Sequence, residues 1–273
     1  MKMAPRILLS ALLITLLTGC ASSPPNSPAS PASPAVLTDL APTGKLRAAI
    51  NYGNSVLAKK DARTGEPGGV SVDLARRLGQ RLGVPVELVG FDAAGKVFDA
   101  LSAGLWDVAF LAIEPARAAE IAFTAPYVLI EGTYLVRQES PLRSIAEFDR
   151  PGIRIAVGNK SAYDLYLTRT LKNAQLIRAQ TSPAAIEQFL NDKLEAVAGV
   201  KQPLVAYANK NPAVRVIEGR FMAIQQAMGT PKSRVVGATF LQQFVEEMKA
   251  SGLVAASLQR SGELDALVAP AAR

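Results

Sequence analysis

The chain has 273 residues, and its thirty Lys and Arg outnumber twenty-three Asp and Glu for a formal charge of +7. One cysteine and no histidine exclude Ser-His-Asp and Cys-His catalytic centres, imidazole metal sites, an internal disulfide framework and Cys-rich zinc sites. With 49% apolar residues, the chain has material for one large or two medium cores.

The start of the chain reads as an export signal. Lys2 and Arg6 flank the N-terminus, and Ile7 to Leu17 is mainly apolar. That stretch is too short for a spanning helix, which needs about 20 apolar residues. Leu17-Thr18-Gly19-Cys20 follows, ending on the chain's single cysteine. This segment resembles a bacterial lipobox, which implies cleavage before Cys20 and lipidation of its thiol. Residues 1–19 are therefore expected to be a signal peptide, and residues 20–42 a lipidated cysteine with a Pro/Ser-rich tether. The uncharged stretch 21–36 would reach roughly 50 Å if extended as polyproline II.

The body alternates strands and helices. Lys45–Ile50 reads as a strand, and Gly65 to Gly69 as a turn. From Asp73, expected as an N-cap, Leu74, Leu78 and Leu82 mark an amphipathic helix that stops at Gly83. Val84–Val89 alternates as a strand, a short helix covers Lys96–Ala103, Asp107–Ala112 is an apolar strand, and Tyr127–Val136 is a longer one. The pattern then restarts: a capping box at Ser144–Glu147, a strand at Ile153–Val157, and a helix opened by Ser161. Further along come a small strand at Leu176-Ile177, a helix opened by Ser182-Pro183, a strand at Ala196–Val200, a helix from Pro203, and a strand at Val214–Ile217. After Met222–Met228, a final helix carries Phe240, Phe244 and Met248 and closes at Gly252. Two such sets predict an α/β fold of two lobes, with parallel-rich sheets flanked by helices and a ligand cleft between them.

Several ordered segments carry a family resemblance. They are Thr43–Arg47, Gly69–Ala75, Ala100–Val108, Pro115–Ala118, Ile121–Tyr127, Ile153–Val157 and Leu194–Val197. Together they resemble the polar amino acid family of ABC-transporter solute-binding proteins, in lipoprotein form, over nearly all of residues 43–260. The resemblance implies a type II periplasmic-binding-protein fold with lobe 1 at 43–136 plus 226–273 and lobe 2 at 137–225. It places the chain crossings near Leu135–Arg137 and Ile224–Met228, with hinge closure as the working motion. It also implies a monomer, no cofactor, a carboxylate-bearing small ligand and an ABC permease as partner. The expected location is the periplasmic side of the envelope, lipid-anchored; Ala21 after Cys20, in place of the Asp that retains lipoproteins at the inner membrane, favours the outer membrane in a Gram-negative cell.

The resemblance also assigns site residues. Arg117 falls where the family grips a ligand carboxylate, for which a guanidinium fork is suited. Ala112 and Ile113 fall where ligand donors lie, although Ala112 lacks the hydroxyl often found there. Ser161 aligns with a helix-start residue that helps hold the carboxylate, and Lys160 replaces a common Gly. Two departures stand out. No acid occurs in Ala198–Pro203, where the family pairs an Asp with the ligand ammonium. The aromatic shelf after the first strand is replaced by Asn51-Tyr52-Gly53-Asn54, with Tyr52 as the substitute and Asn54 at the aligned position. Glu114 and Asp73 are the acids that could take over, and an organic acid, a modified amino acid or a ligand with a differently placed amine enters the ligand range.

Two rival functions belong to other classes. One is an exported cyclohexadienyl dehydratase-like enzyme with Glu114 as general acid; the other is a ligand-sensing lipoprotein. The basic pairs Lys59-Lys60 and Arg76-Arg77 lack interleaved aromatics, so no nucleic-acid partner is expected.

Overall fold

A computed structural model describes residues 32–272. The signal segment, Cys20 and the tether up to residue 31 lie outside the described residues. In chain order the first half runs α1 (Pro34–Leu40), β1 (Leu46–Asn51), β2 (Lys59–Lys60), β3 (Pro67–Gly68), α2 (Val70–Leu82), β4 (Val86–Phe91), α3 (Ala94–Asp99), β5 (Val108–Ala112), α4 (Pro115–Ala118) and β6 (Ile121–Arg137). The second half follows a 3-10 turn at Ile145–Glu147. It comprises β7 (Arg154–Gly158), α5 (Ala162–Thr170), β8 (Gln175–Ala179), α6 (Ser182–Asn191), β9 (Ala196–Val200), α7 (Lys201–Ala208), β10 (Val214–Val216), β11 (Met222–Pro231), α8 (Val235–Ala250), α9 (Leu253–Arg260) and β12 (Leu267–Val268).

One sheet runs β4-β1-β5-β11-β6-β9-β7-β8, with β10 and β12 also paired to β6. Its two flanks, β4-β1-β5 and β9-β7-β8, are parallel. They are joined by β11 and β6, which are antiparallel to each other and to their neighbours. The parallel grammar expected from the sequence therefore holds within each lobe. The linking strands depart from it because they carry the chain straight from one lobe to the other. In β6 the pairing to β12 covers Val128 and Leu129, and the pairing to β9 starts at Gly132. The first crossing thus lies near Ile130–Gly132, upstream of the expected Leu135–Arg137, which instead pair with β10. The return lies in β11 before Gln226, where pairing to β5 begins.

Each lobe is tied by the same device. Arg47 at the start of β1 donates from Nε and Nη2 to the buried Asp107 carboxylate, at 2.9 and 2.8 Å, and Asp107 stands just before β5. Arg154 at the start of β7 grips Glu195, just before β9, at 2.9 Å from each of the same two nitrogens. Both forks hold the N-terminal ends of paired parallel strands, which leaves the C-terminal ends free to face the cleft.

Three local expectations change. Helix α2 begins at Val70, three residues before Asp73, because Gly69 at φ 108° turns the chain into it. Asp73 is consequently no N-cap; its carboxylate accepts from Ser257 and Arg260 on α9. The N-cap of α6 is Thr181, one residue before Ser182, and its hydroxyl accepts from Ala184 N at 3.2 Å. The segment expected as tether to residue 42 contains α1, capped by Ser33 with Pro34 in its first turn. Its Val36 and Leu40 are buried, and the Asp39 carboxylate accepts from Gly237 N near the start of α8 at 2.8 Å.

Candidate functional site

The C-terminal ends of the parallel strands meet around a small cavity of about 40 Å³. Its lobe 1 wall includes Asn51 and Asn54 after β1, Ala112 at the end of β5, and Arg117 on α4. Its lobe 2 wall includes Ser161, Tyr163 and Thr181, and Gln226 of β11 also lines it. Arg117 reaches this position because Pro115 opens a one-turn helix immediately after β5, folding the side chain back under the strand end. It is 1% exposed. Its Nη1 donates to Ala112 O at 3.0 Å and its Nη2 to Lys160 O at 2.8 Å, across the cleft. Among the described residues, these hydrogen bonds use only part of a guanidinium that carries five N–H donors. Burial pushes its pKa down to about 10, opposed by the nearby charge of Glu114. It remains a cation at neutral pH, facing two neutral carbonyls.

Ser161 caps α5, its hydroxyl accepting from Asp164 N at 3.1 Å, and it lines the same cavity. Asn51 Oδ1 accepts from Gly53 N at 3.0 Å, bending the chain after β1. Asn54 is 8% exposed, and its Oδ1 has no hydrogen-bond partner among the described residues. An unpartnered buried acceptor on a residue of the cavity wall is suited to a donor on a ligand.

The structure gathers Arg117, Ser161, Ala112, Asn51 and Asn54, and separates the other expected site residues. Tyr52 lines a second cavity of about 140 Å³, which shares Gly53, Asn54, Tyr163, Ser182 and Val200 with the first. Ile113 donates its N–H to Gln225 O at 2.9 Å and lines a groove on the other side with Glu114. The Glu114 carboxylate is buried and paired with Arg169 Nη1 at 2.6 Å, joining the lobes outside the cavity. Lys160 is not among the lining residues; its backbone carbonyl accepts from Arg117, while its Nζ pairs with Asp99 across the cleft at 2.7 Å. It occupies φ 53°, the left-handed conformation that explains the glycine common at this position in the resembling family. Asp73, on α9's side of α2, is not among the lining residues.

Sequence reasoning missed Gln226, Ile224, Tyr163, Thr181 and Ser182 as lining residues. Thr181-Ser182-Pro183 did signal a helix start, and helix starts after parallel strands point at the cleft. Gln226 and Ile224 had no local signal, because the face of β11 they occupy is set by its pairing with β5 and β6. The position after β9, where the resemblance expects an acid, holds Lys201. Its Nζ leaves the cavity to pair with Glu131 at 2.8 Å on the crossing strand, and Arg220 takes the other oxygen at 3.0 Å.

Comparison with known proteins agrees with this architecture. Residues 50–263 match the model of the bacterial extracellular solute-binding proteins, family 3. The virulence sensor protein BvgS of Bordetella pertussis is 26% identical over 173 residues, covering 63% of this chain, which spans only 13% of BvgS. The P235GK mutant of ArgBP from T. maritima superposes with a TM-score of 0.72 at 20% identity, over 83% of this chain and 99% of that one. The ancestral amino acid-binding protein AncCDT-1, a precursor of cyclohexadienyl dehydratase, gives 0.69 at 22% identity, over 82% and 98%. These likenesses show the two-lobed type II periplasmic-binding-protein fold, and the matched model covers most of the chain. The chain belongs to the bacterial extracellular solute-binding proteins, family 3.

Proposed function

We propose that this protein captures a small carboxylate-bearing solute between its lobes and delivers it to an ABC importer, anchored at the envelope by a lipid on Cys20. Arg117 carries the reading. A buried guanidinium at the junction of the lobes, hydrogen-bonded among the described residues only to neutral carbonyls, is suited to a carboxylate that enters a closing cleft. Neighbouring folds support a small ligand of this class, since ArgBP is known in an arginine-bound form. Among the described residues no helix is long and apolar enough to cross a membrane, which is compatible with a lipid anchor.

The role proposed is binding, with no chemical step. The dehydratase alternative needs Glu114 as acid, and that carboxylate lies with Arg169 outside the cavity. The likeness to BvgS favours sensing as a second reading, separable from import by measuring uptake of labelled ligand in a strain lacking this gene.

The direct test is a thermal-shift panel of small carboxylates on the full chain and its Arg117→Ala variant. A ligand at about a thousand times its Kd should add roughly 4 kcal/mol of stability. The shift should vanish in Arg117→Ala while its unliganded melting remains cooperative. A ligand shift that survives the substitution overturns the assignment of Arg117.

A further inference from the structure

The electrostatics of the paired cavities narrow the ligand beyond a carboxylate bearer. Among the described residues, Arg117 is the only charged one lining the first cavity, and none lines the second. The surrounding charges are already matched: Glu114 with Arg169, Lys160 with Asp99, Lys201 with Glu131. A single carboxylate would therefore neutralise the closed site. A zwitterionic amino acid would leave one uncompensated positive charge, and a dicarboxylate one negative charge, in a region with little water to screen either.

The shape adds a second restriction. The cavity of about 140 Å³ lies beside the first, and its apolar lining includes Pro183, Ile186, Ala198, Pro203 and Leu204. Apolar cavities near 150 Å³ admit a six-carbon ring. Asn54 stands in the wall shared by both, and its buried Oδ1 has no hydrogen-bond partner among the described residues. A neutral amide oxygen suits a hydroxyl or amide donor, and it lacks the charge that would balance an ammonium.

We infer that the ligand is a monocarboxylate without an ammonium group, carrying a neutral hydrogen-bond donor near the acid and a short apolar tail that fills the second cavity. This rests on the proposed binding role of Arg117 and goes beyond it by naming the ligand class. No residue in either wall needs to change protonation to admit such a ligand.

The experiment is calorimetric titration of the full chain with matched pairs. Each pair shares one apolar tail of four to six carbons, with 2-hydroxy in one member and 2-amino in the other; a dicarboxylate of equal length is added. The 2-hydroxy acid should bind at least about 100-fold more tightly than its amino counterpart and than the dicarboxylate. Ile186→Ser should weaken the tailed acid while leaving glycolate, the tail-free 2-hydroxy acid, unchanged. Asn54→Asp, which adds the missing carboxylate, should reverse the preference toward the 2-amino acid. Equal or tighter binding of the 2-amino acid to the unaltered chain, lost in Arg117→Ala, overturns the inference and leaves the carboxylate-binding role standing. No binding by any member of the panel overturns both. Binding of the hydroxy acid that ignores Ile186→Ser overturns the placement of the tail.

Discussion

Asp107 shows how one side chain holds several segments in register. Its carboxylate is fully buried, yet it accepts from the Arg47 fork and from Arg234 Nη1 at 2.8 Å, while its backbone carbonyl accepts from Thr230. Burial alone would raise its pKa, but the hydrogen bonds from Arg47 and Arg234 outweigh it and the net shift is downward. A carboxylate lowered in the folded state adds stability that is fully present above its unfolded value near pH 4 and is lost as pH falls through the folded value. Asp107→Asn should therefore cost about 3 kcal/mol in urea unfolding at pH 7, by leaving two partly buried arginines unpaired. Acid titration should show a weaker loss of stability below about pH 4 in the variant than in the parent. Arg117 presents the opposite case. Among the described residues its buried charge has no carboxylate hydrogen-bond partner, a costly arrangement that a ligand anion would relieve.

Among the elements, α1 departs most from a reading by composition. Pro and Ser dominate its surroundings, a pattern that reads as an extended spacer. The helix forms because Ser33 and Pro34 supply a start, and because Leu40 and Val36 find an apolar face on the body. The fit is close: a Cβ on Gly237 would stand 2.7 Å from Leu40 Cδ2. Leu40→Ala should destabilise the fold by about 3 kcal/mol, read from denaturant unfolding followed by circular dichroism. An unchanged midpoint would mean that the folded body begins after this helix. Helix α4 makes a related point about length. It has a single turn, too short for periodicity to reveal, yet that turn carries Arg117 back beneath β5.

Across the molecule, the two lobes touch through a small set of contacts. Arg117 reaches Lys160 O, Lys160 Nζ reaches Asp99, and Arg169 reaches Glu114. Gly95 on α3 makes this approach possible, since a Cβ there would lie 2.8 Å from Lys160 Cβ and 3.1 Å from Asn159 O. Gly95→Ala gains helix propensity, but the added Cβ crowds Lys160 where the lobes meet. It should therefore raise the apparent Kd of a carboxylate ligand about 10-fold by disfavouring the closed state. The double variant Gly95→Ala with Lys160→Gly removes the opposing Cβ and should restore affinity. Failure of that rescue would place the effect of Gly95 outside lobe closure.

Alternating apolar runs and helix faces were enough to read two α/β lobes, because burial imposes periods of two and 3.6 that survive in one dimension. Leu74, Leu78 and Leu82 marked α2, and Ala196–Val200 marked β9, within a few residues of their observed ends. The cleft position also followed, since parallel strands leave their C-terminal ends at one edge. The order of partners was invisible locally. β11 inserts between β5 and β6, bringing Gln226 to the cavity from a distant part of the chain. Glu114 and Arg117 stand three residues apart, yet packing turns one to Arg169 and the other to the cavity. Charge matching across a cleft depends on which side chains meet in space, and that is settled when the lobes pack together.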